Sequence, residues 1–410
     1  TVEKPVEALL ENGCSTEAVP NIAWRNGEGK VRKNEVTFVP ENLDEFSIDY
    51  EIVMKESLGR ELLLSAPFAR FMAEPIGASL AYKGCIYNCV TCGGSKFAYS
   101  CFFKRSELGV KSPRKIFEEV KSLSDYMKIP IFILGDLQFL GRRNVKALVR
   151  MLREEKLDNT LLFEFFYPPS RDTLSLIRKA GEKILVQLSP ETQIEEVRFA
   201  FGKRYTNEQI MDFVNGAVAL NFDRLDLYFM VGLPKQDYES AVDLPKFLKK
   251  ILRITPKGKI DFFAAPLAPF LDPGSLAFVN PKAHGYNLFF KSLEEHRRAM
   301  ASSSNWRDTL NYETAWMTKG EIFEATYELA ERLMKLKVES GVVSEDEGLK
   351  TVETIREVKA AINPRGKGGE AIGKETVPKG DLYPTRGLLF SLKPKFFFVL
   401  IKNLLRRASK

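Results

Sequence analysis

At 410 residues the chain is long enough for one barrel-sized domain of about 200–250 residues with additions at either end. Hydrophobic residues make up 44% and charged residues 28%, the balance of a soluble globular protein, and no run of 18 apolar residues is present that could span a bilayer. The net charge of +7 favours anionic ligands without marking a nucleic-acid binder, and five cysteines, three of them clustered, argue for a reducing compartment such as the cytoplasm and against a disulfide framework.

Thr1-Val-Glu-Lys-Pro5 has no initiating Met and no apolar leader, so a natural start further upstream is expected. Residues 1–75 do not have a barrel pattern. Pro5 to Asn12 is a short helical pattern, Val19 to Gly29 a strand ending in a glycine turn, and Lys30 to Val39 its return strand. Pro40 to Phe46 is a connector. This first segment is therefore expected to be a β-hairpin and linker.

From Ile76 onwards short apolar runs alternate with helical patterns, the signature of βα units. Strands are predicted over Ile76–Tyr82, Pro130–Leu134, Thr160–Phe165, Lys183–Leu188, Arg224–Val231 and Lys259–Pro266. Between them, Ser112-Pro113 opens a helix with a cap and a proline at its first position. A second helix covers Asn144 to Glu155, and a third runs from Ser170 to a stop at Gly181. Thr206 and Gln209 form a capping box. Six such repeats predict an α/β fold, an open, partial (βα)6 barrel of TIM type, over residues 76–270. An open doubly wound sheet is the other arrangement of such units, but its G-x-G-x-x-G turn is missing after the first strand.

Residues 271–410 read as a helical C-terminal extension, with helices over Gly285–Arg297 and Lys319–Glu339 and a basic linker over Asn363–Gly369. In the tail, Arg386 to Arg407, the apolar run Phe396–Ile401 is flanked by Lys393, Lys395, Lys402, Arg406 and Arg407. It is too short to span a bilayer. It can pack on the barrel, the expectation preferred here, or lie on an anionic membrane surface.

Immediately after the first predicted strand comes Cys85-Ile-Tyr-Asn-Cys89-Val-Thr-Cys92-Gly-Gly94, with C-x3-C-x2-C spacing. Thiolates select iron–sulfur clusters, zinc or copper(I). Structural zinc wants four N or S ligands, whereas the two histidines lie about 200 residues away and Cys14 and Cys101 form no second C-x2-C pair. Electron-transfer ferredoxins ligate all four irons of a cubane with cysteine. Three ligands leave one iron open to a substrate.

This loop resembles that of the radical S-adenosylmethionine (radical SAM) superfamily, and the resemblance extends over about residues 76–270. It implies a [4Fe–4S] cluster on Cys85, Cys89 and Cys92, with Gly93 near the methionine amino group of S-adenosylmethionine. Gly135-Asp136 stands where the family has a Gly-Gly-Glu turn that receives that ammonium. Here the second glycine is missing and Asp replaces Glu. Thr91 also stands where the family often has an aromatic residue. The resemblance further implies that Ser189 and Glu191 contact the ribose and that Arg198 (with Arg204 nearby) pairs with the methionine carboxylate. Gly232-Leu233 and the backbone of Phe262–Ala265 would flank adenine, and Glu164 and Tyr167, at the third strand end, would face substrate. The implied reaction is one-electron cleavage of S-adenosylmethionine to a 5′-deoxyadenosyl radical, which acts on a small-molecule or lipid-like substrate. The electron would come from a reductant protein such as a ferredoxin or flavodoxin.

Residues 1–75 are similar to the segment that joins a cobalamin-binding domain to the barrel in one branch of this superfamily. Cobalamin-dependent methyl transfer is therefore an open reading, although the chain has no D-x-H-x-x-G cobalamin motif. An iron–sulfur electron-transfer or sensor protein is the rival from another class, and it would want a fourth ligand. A methylthiotransferase would want three more N-terminal cysteines, where only Cys14 is present.

Overall fold

Six short runs rich in Ile, Leu, Val and Phe carry the architecture. In the computed structural model, which describes residues 3–13, 15–59, 75–266, 271–303, 305–362 and 393–396, they form one parallel sheet. The strands are β1 (Gly77–Leu80), β2 (Ile131–Leu134), β3 (Leu161–Phe165), β4 (Ile184–Glu191), β5 (Arg224–Val231) and β6 (Ile260–Pro266). Each pairs with the next in sequence, so the sheet order is β1-β2-β3-β4-β5-β6 and the partial barrel stays open between its first and last strands. Helices cover the sheet, which is why its strands read as near-continuous apolar runs rather than as alternating ones. Seven of the eight residues of β4 are buried.

The helix starts follow local chemistry. Ser112 caps Pro113–Tyr126, Ser170 caps Arg171–Ile177, and Thr206 with Gln209 forms a reciprocal capping box on Asn207–Ala219. Ahead of the barrel, Ala23–Arg25 pairs antiparallel with Val31–Lys33 as the expected hairpin. After it, the helix Lys319–Glu339 lies against β6, with Lys337 Nζ 2.7 Å from Asp261.

One predicted helix is corrected. Gly285 takes φ +74°, and the residues after it, Tyr286–Leu288, form a strand paired with Tyr312–Thr314. The helix begins only at Leu293, where Ser292 and Glu295 make a capping box. A distant strand partner outweighed the local helical spacing.

Of the basic apolar tail, Lys393 to Phe396 is described, and it packs on the barrel. Phe396 is buried, Lys393 N donates to Tyr126 O at 2.8 Å, and Lys393 Nζ pairs with Asp158 at 2.6 Å. The linker Asn363–Gly369, Cys14 and the rest of the tail lie outside the described residues. No helix among the described residues is long and apolar enough to cross a membrane.

A polar row crosses the sheet interior. Glu164, Gln187, Asp226 and Asp261 are register partners on β3 to β6. Arg224 holds both Asp226 oxygens, at 2.7 and 2.9 Å. Burial nevertheless pushes the Asp226 carboxyl up from 3.8 to about 6, against the pull of Arg224. A carboxyl raised in the folded state contributes stability that is present below its unfolded pKa and lost as pH rises through the folded one. Urea unfolding of the parent and of Asp226→Asn from pH 3.5 to pH 7 is therefore expected to move the difference by up to about 3 kcal/mol in favour of the variant. A difference that does not change with pH would refute this.

Candidate active site

Cys85, Cys89 and Cys92 sit on the loop between the short strand Tyr82–Lys83 and the helix Lys96–Phe103. Gly84, at φ +110°, turns the chain into the loop, and Ser95 caps the helix that ends it. Segments far along the chain fix its path. Val90 N donates to Phe201 O at 2.8 Å, Ala277 N donates to Val90 O at 2.9 Å, and Gly93 N donates to Asp272 Oδ2 at 2.9 Å. Gly202, at φ +114°, is the closest approach, because a Cβ there would lie 2.7 Å from Asn88 O.

The three thiols line a cavity of about 670 Å³ at the C-terminal ends of the strands, together with Glu164, Glu191 and Lys203. Barrel active sites occupy this face. Tyr87 N donates to Cys85 Sγ at 3.4 Å and Gly94 N to Cys92 Sγ at 3.3 Å, bonds that favour the thiolate form. Desolvation acts against it, raising all three thiols and pushing Cys89 up to about 12. A metal centre overrides this, since a coordinating thiol is deprotonated outright. No three His, Cys, Asp or Glu side chains among the described residues converge on a single-ion site. Three thiols lining one cavity suit a cluster, which offers separate irons to separate ligands. Cys101 is exposed and does not line the cavity.

The strand ends supply the polar groups. Glu164 ends β3 and is fixed at both oxygens, accepting from Gly135 N at 2.5 Å and from Gln187 Nε2 at 3.4 Å. Burial raises its carboxyl above the ordinary range. Gly135 also lines the cavity, and at φ +104° its hydrogen faces the Tyr82 ring, where a Cβ would meet carbon at 2.6 Å. At the end of β4, Glu191 adopts φ +67°, and a register break between Leu188 and Glu191 turns it inward. Lys203 reaches it at 2.5 Å and also donates to Ser189 O at 2.7 Å. Burial opposes the lysine's charge, but Glu191 and its neighbours outweigh it and hold Lys203 charged, above its ordinary range.

The other residues named from the sequence have different places. Asp136 is fully buried and caps the turn Leu137–Leu140, accepting from Gln138 N at 3.0 Å and from Phe166 N at 2.9 Å. Arg198 is also fully buried, and its guanidinium is taken up by the carbonyls of Pro190, Thr192 and Tyr205 and by Asn207 Oδ1. It does not line the cavity, and neither does Arg204. Gly232 N donates to Gln236 Oε1, and Leu233 is buried against Val197 and Phe201, behind the cavity wall that Met230 provides. Tyr167 stacks on Tyr87 at 4.2 Å between ring centroids and donates to Gly202 O at 3.2 Å. Gly93 lies on the outer side of the loop. Lys83, Lys203 and Asp272 also line the cavity, and sequence reasoning missed all three. The only local signal for Lys203 was a third cation beside Arg198 and Arg204.

Comparison with known proteins agrees with this geometry. Residues 80–248 match the radical SAM superfamily. A protein of Pyrococcus horikoshii, named an uncharacterized methyltransferase, is 23% identical over 255 residues, which is 61% of this chain and 51% of the relative. The chain therefore spans about half the length of that relative. Two solved structures share the fold. One is the radical S-adenosylmethionine methyltransferase TsrM from Kitasatospora setae, with cobalamin and a [4Fe–4S] cluster bound (TM-score 0.52, 12% identity, 87% of this chain and 76% of that one). The other is OxsB, a cobalamin-dependent S-adenosylmethionine radical enzyme with aqua-cobalamin bound (TM-score 0.52, 13% identity, 88% of this chain and 54% of that one). The residues that match the radical SAM superfamily carry the cysteine loop and the strands β2 to β5 behind it.

Proposed function

We propose that this chain is a radical SAM enzyme that binds one [4Fe–4S] cluster through Cys85, Cys89 and Cys92 and holds S-adenosylmethionine in the cavity at the strand ends. The observation that carries this reading is the meeting of three thiols, two acidic strand ends and one buried cation in a single cavity. When bound, the two cofactors supply reductive carbon–sulfur cleavage and hydrogen abstraction, and the protein supplies orientation and a dry site. Glu164, pre-set by Gly135 N–H, is the acceptor for an ammonium group. Glu191 and Ser189 face hydroxyl groups, and Lys203 offsets the negative charge that the thiolates bring. Tyr82, Phe166 and Met230 supply apolar wall to the cavity. A ferredoxin or flavodoxin serves as electron donor in this reading. The names borne by the Pyrococcus relative and by TsrM support methyl transfer as the reaction class. Neither histidine lines the cavity, so its described residues offer cobalamin no imidazole ligand.

Calorimetric titration of cluster-loaded protein with S-adenosylmethionine tests the site. Glu164→Gln removes a charged acceptor worth about 1.5–3 kcal/mol and is expected to raise the dissociation constant by about tenfold to a hundredfold. Arg198→Met is expected to lower folding stability while leaving the affinity of the folded fraction unchanged. The reverse pattern would return the ligand role to Arg198.

A further inference from the structure

A second cavity, of about 970 Å³, lies on the outer side of the cysteine loop, between that loop and the N-terminal hairpin. It shares Lys83 and Tyr99 with the inner cavity, so the two volumes meet at one wall. Its charged lining is of one sign, with Lys33 from the hairpin, Lys83, Arg105 and Lys291, and no Asp or Glu among the described lining residues. Arg105 is committed to Pro40 O at 2.8 Å. Among the described residues the three lysines have no ion-pair partner, although exposed lysines elsewhere on this chain are commonly paired. The rest of the wall is apolar, and it includes Phe102 and Phe103, which are 42% and 53% exposed. Large aromatic faces left open beside unpaired cations fit a ligand with an acidic head and an apolar body.

We propose that the outer cavity binds the substrate, an amphipathic organic anion, with Lys33, Lys83 and Lys291 around its carboxylate or phosphate head and Phe102 and Phe103 along its apolar body. Lys83 and Tyr99 line both cavities, so the bound anion lies next to the thiol-lined site. This assignment rests on the proposed function only for what happens to the bound anion. Binding of the anion is independent of it.

The test is calorimetric titration of cluster-reconstituted full chain with laurate and with dodecyl phosphate, below their micelle-forming concentrations, against dodecanol and inorganic phosphate. Either anion is expected to bind saturably, the tighter one naming the head group, while dodecanol and inorganic phosphate bind at least about tenfold more weakly. Lys33→Glu/Lys291→Glu, a change of two exposed side chains, is expected to weaken anion binding by at least about tenfold with cluster content and melting temperature unchanged. Phe103→Ser tests the apolar wall in the same way. Equal binding of dodecanol, or anion binding that survives the charge reversal, overturns the proposal. Parent protein that binds the anions but retains no iron would sink the catalytic reading and leave the anion site standing.

Discussion

Alanine at any one of Cys85, Cys89 or Cys92 is expected to abolish cluster binding and S-adenosylmethionine cleavage, while Cys101→Ala retains both. The three thiols line one cavity, whereas Cys101 is exposed and outside it. Removing a ligand leaves two thiolates for a cluster that already has one iron without a protein ligand, so partial retention is not expected. Anaerobic reconstitution followed by iron and sulfide analysis gives the readout, with about four irons per chain in the parent. The visible absorption of the cluster reports the same loss without reference to activity. Stoichiometric zinc in the parent, with no sulfide, would overturn the assignment.

The second large effect is expected at Lys203. Its side chain is 5% exposed and its Glu191 partner 8% exposed, so neither has water to fall back on. Taking away one member of a buried ion pair leaves an uncompensated charge and costs about 3–5 kcal/mol. Lys203→Met is therefore expected to lower the urea midpoint sharply. Adding Glu191→Gln removes the stranded charge and is expected to restore most of the loss. The double variant also separates two roles. If Glu191 serves only the pair, the double variant binds S-adenosylmethionine as tightly as the folded fraction of Lys203→Met. If Glu191 faces the ligand, as proposed, stability returns while affinity falls further. A single variant as stable as the parent would show that the pair contributes nothing.

The sequence made the scaffold plain because its signals are local. Ser112-Pro113, the Thr206–Gln209 box and the apolar runs of β2 to β6 each specify their own element within a few residues, and all reappear. The cysteine spacing was equally local. What could not be read was which cation enters the cavity. Arg198 and Lys203 are five residues apart, and both stand near carboxylates in sequence. Only the tertiary path shows that Pro190 and Thr192, with Tyr205 and Asn207 from beyond the next helix, engage all three Arg198 guanidinium nitrogens while Lys203 turns inward. Asp136 and Glu164 form a similar pair. Family likeness favoured the first, and packing delivers the second. The Tyr286–Leu288 strand was missed because its partner lies 24 or more residues further on.

The anchoring of the cysteine loop also bears on how the protein matures. Its fixed points are Phe201, Asp272 and Ala277, more than a hundred residues beyond the last of the three cysteines. On the ribosome the cysteines emerge early, before the segments bearing Phe201, Asp272 and Ala277 are made. On the proposed reading, iron delivery is therefore expected to follow the closing of the scaffold. It also makes cluster content a sensitive gauge of the whole domain. A lesion in β6, or at the Asp272 anchor of the loop, is expected to show itself first as colourless protein.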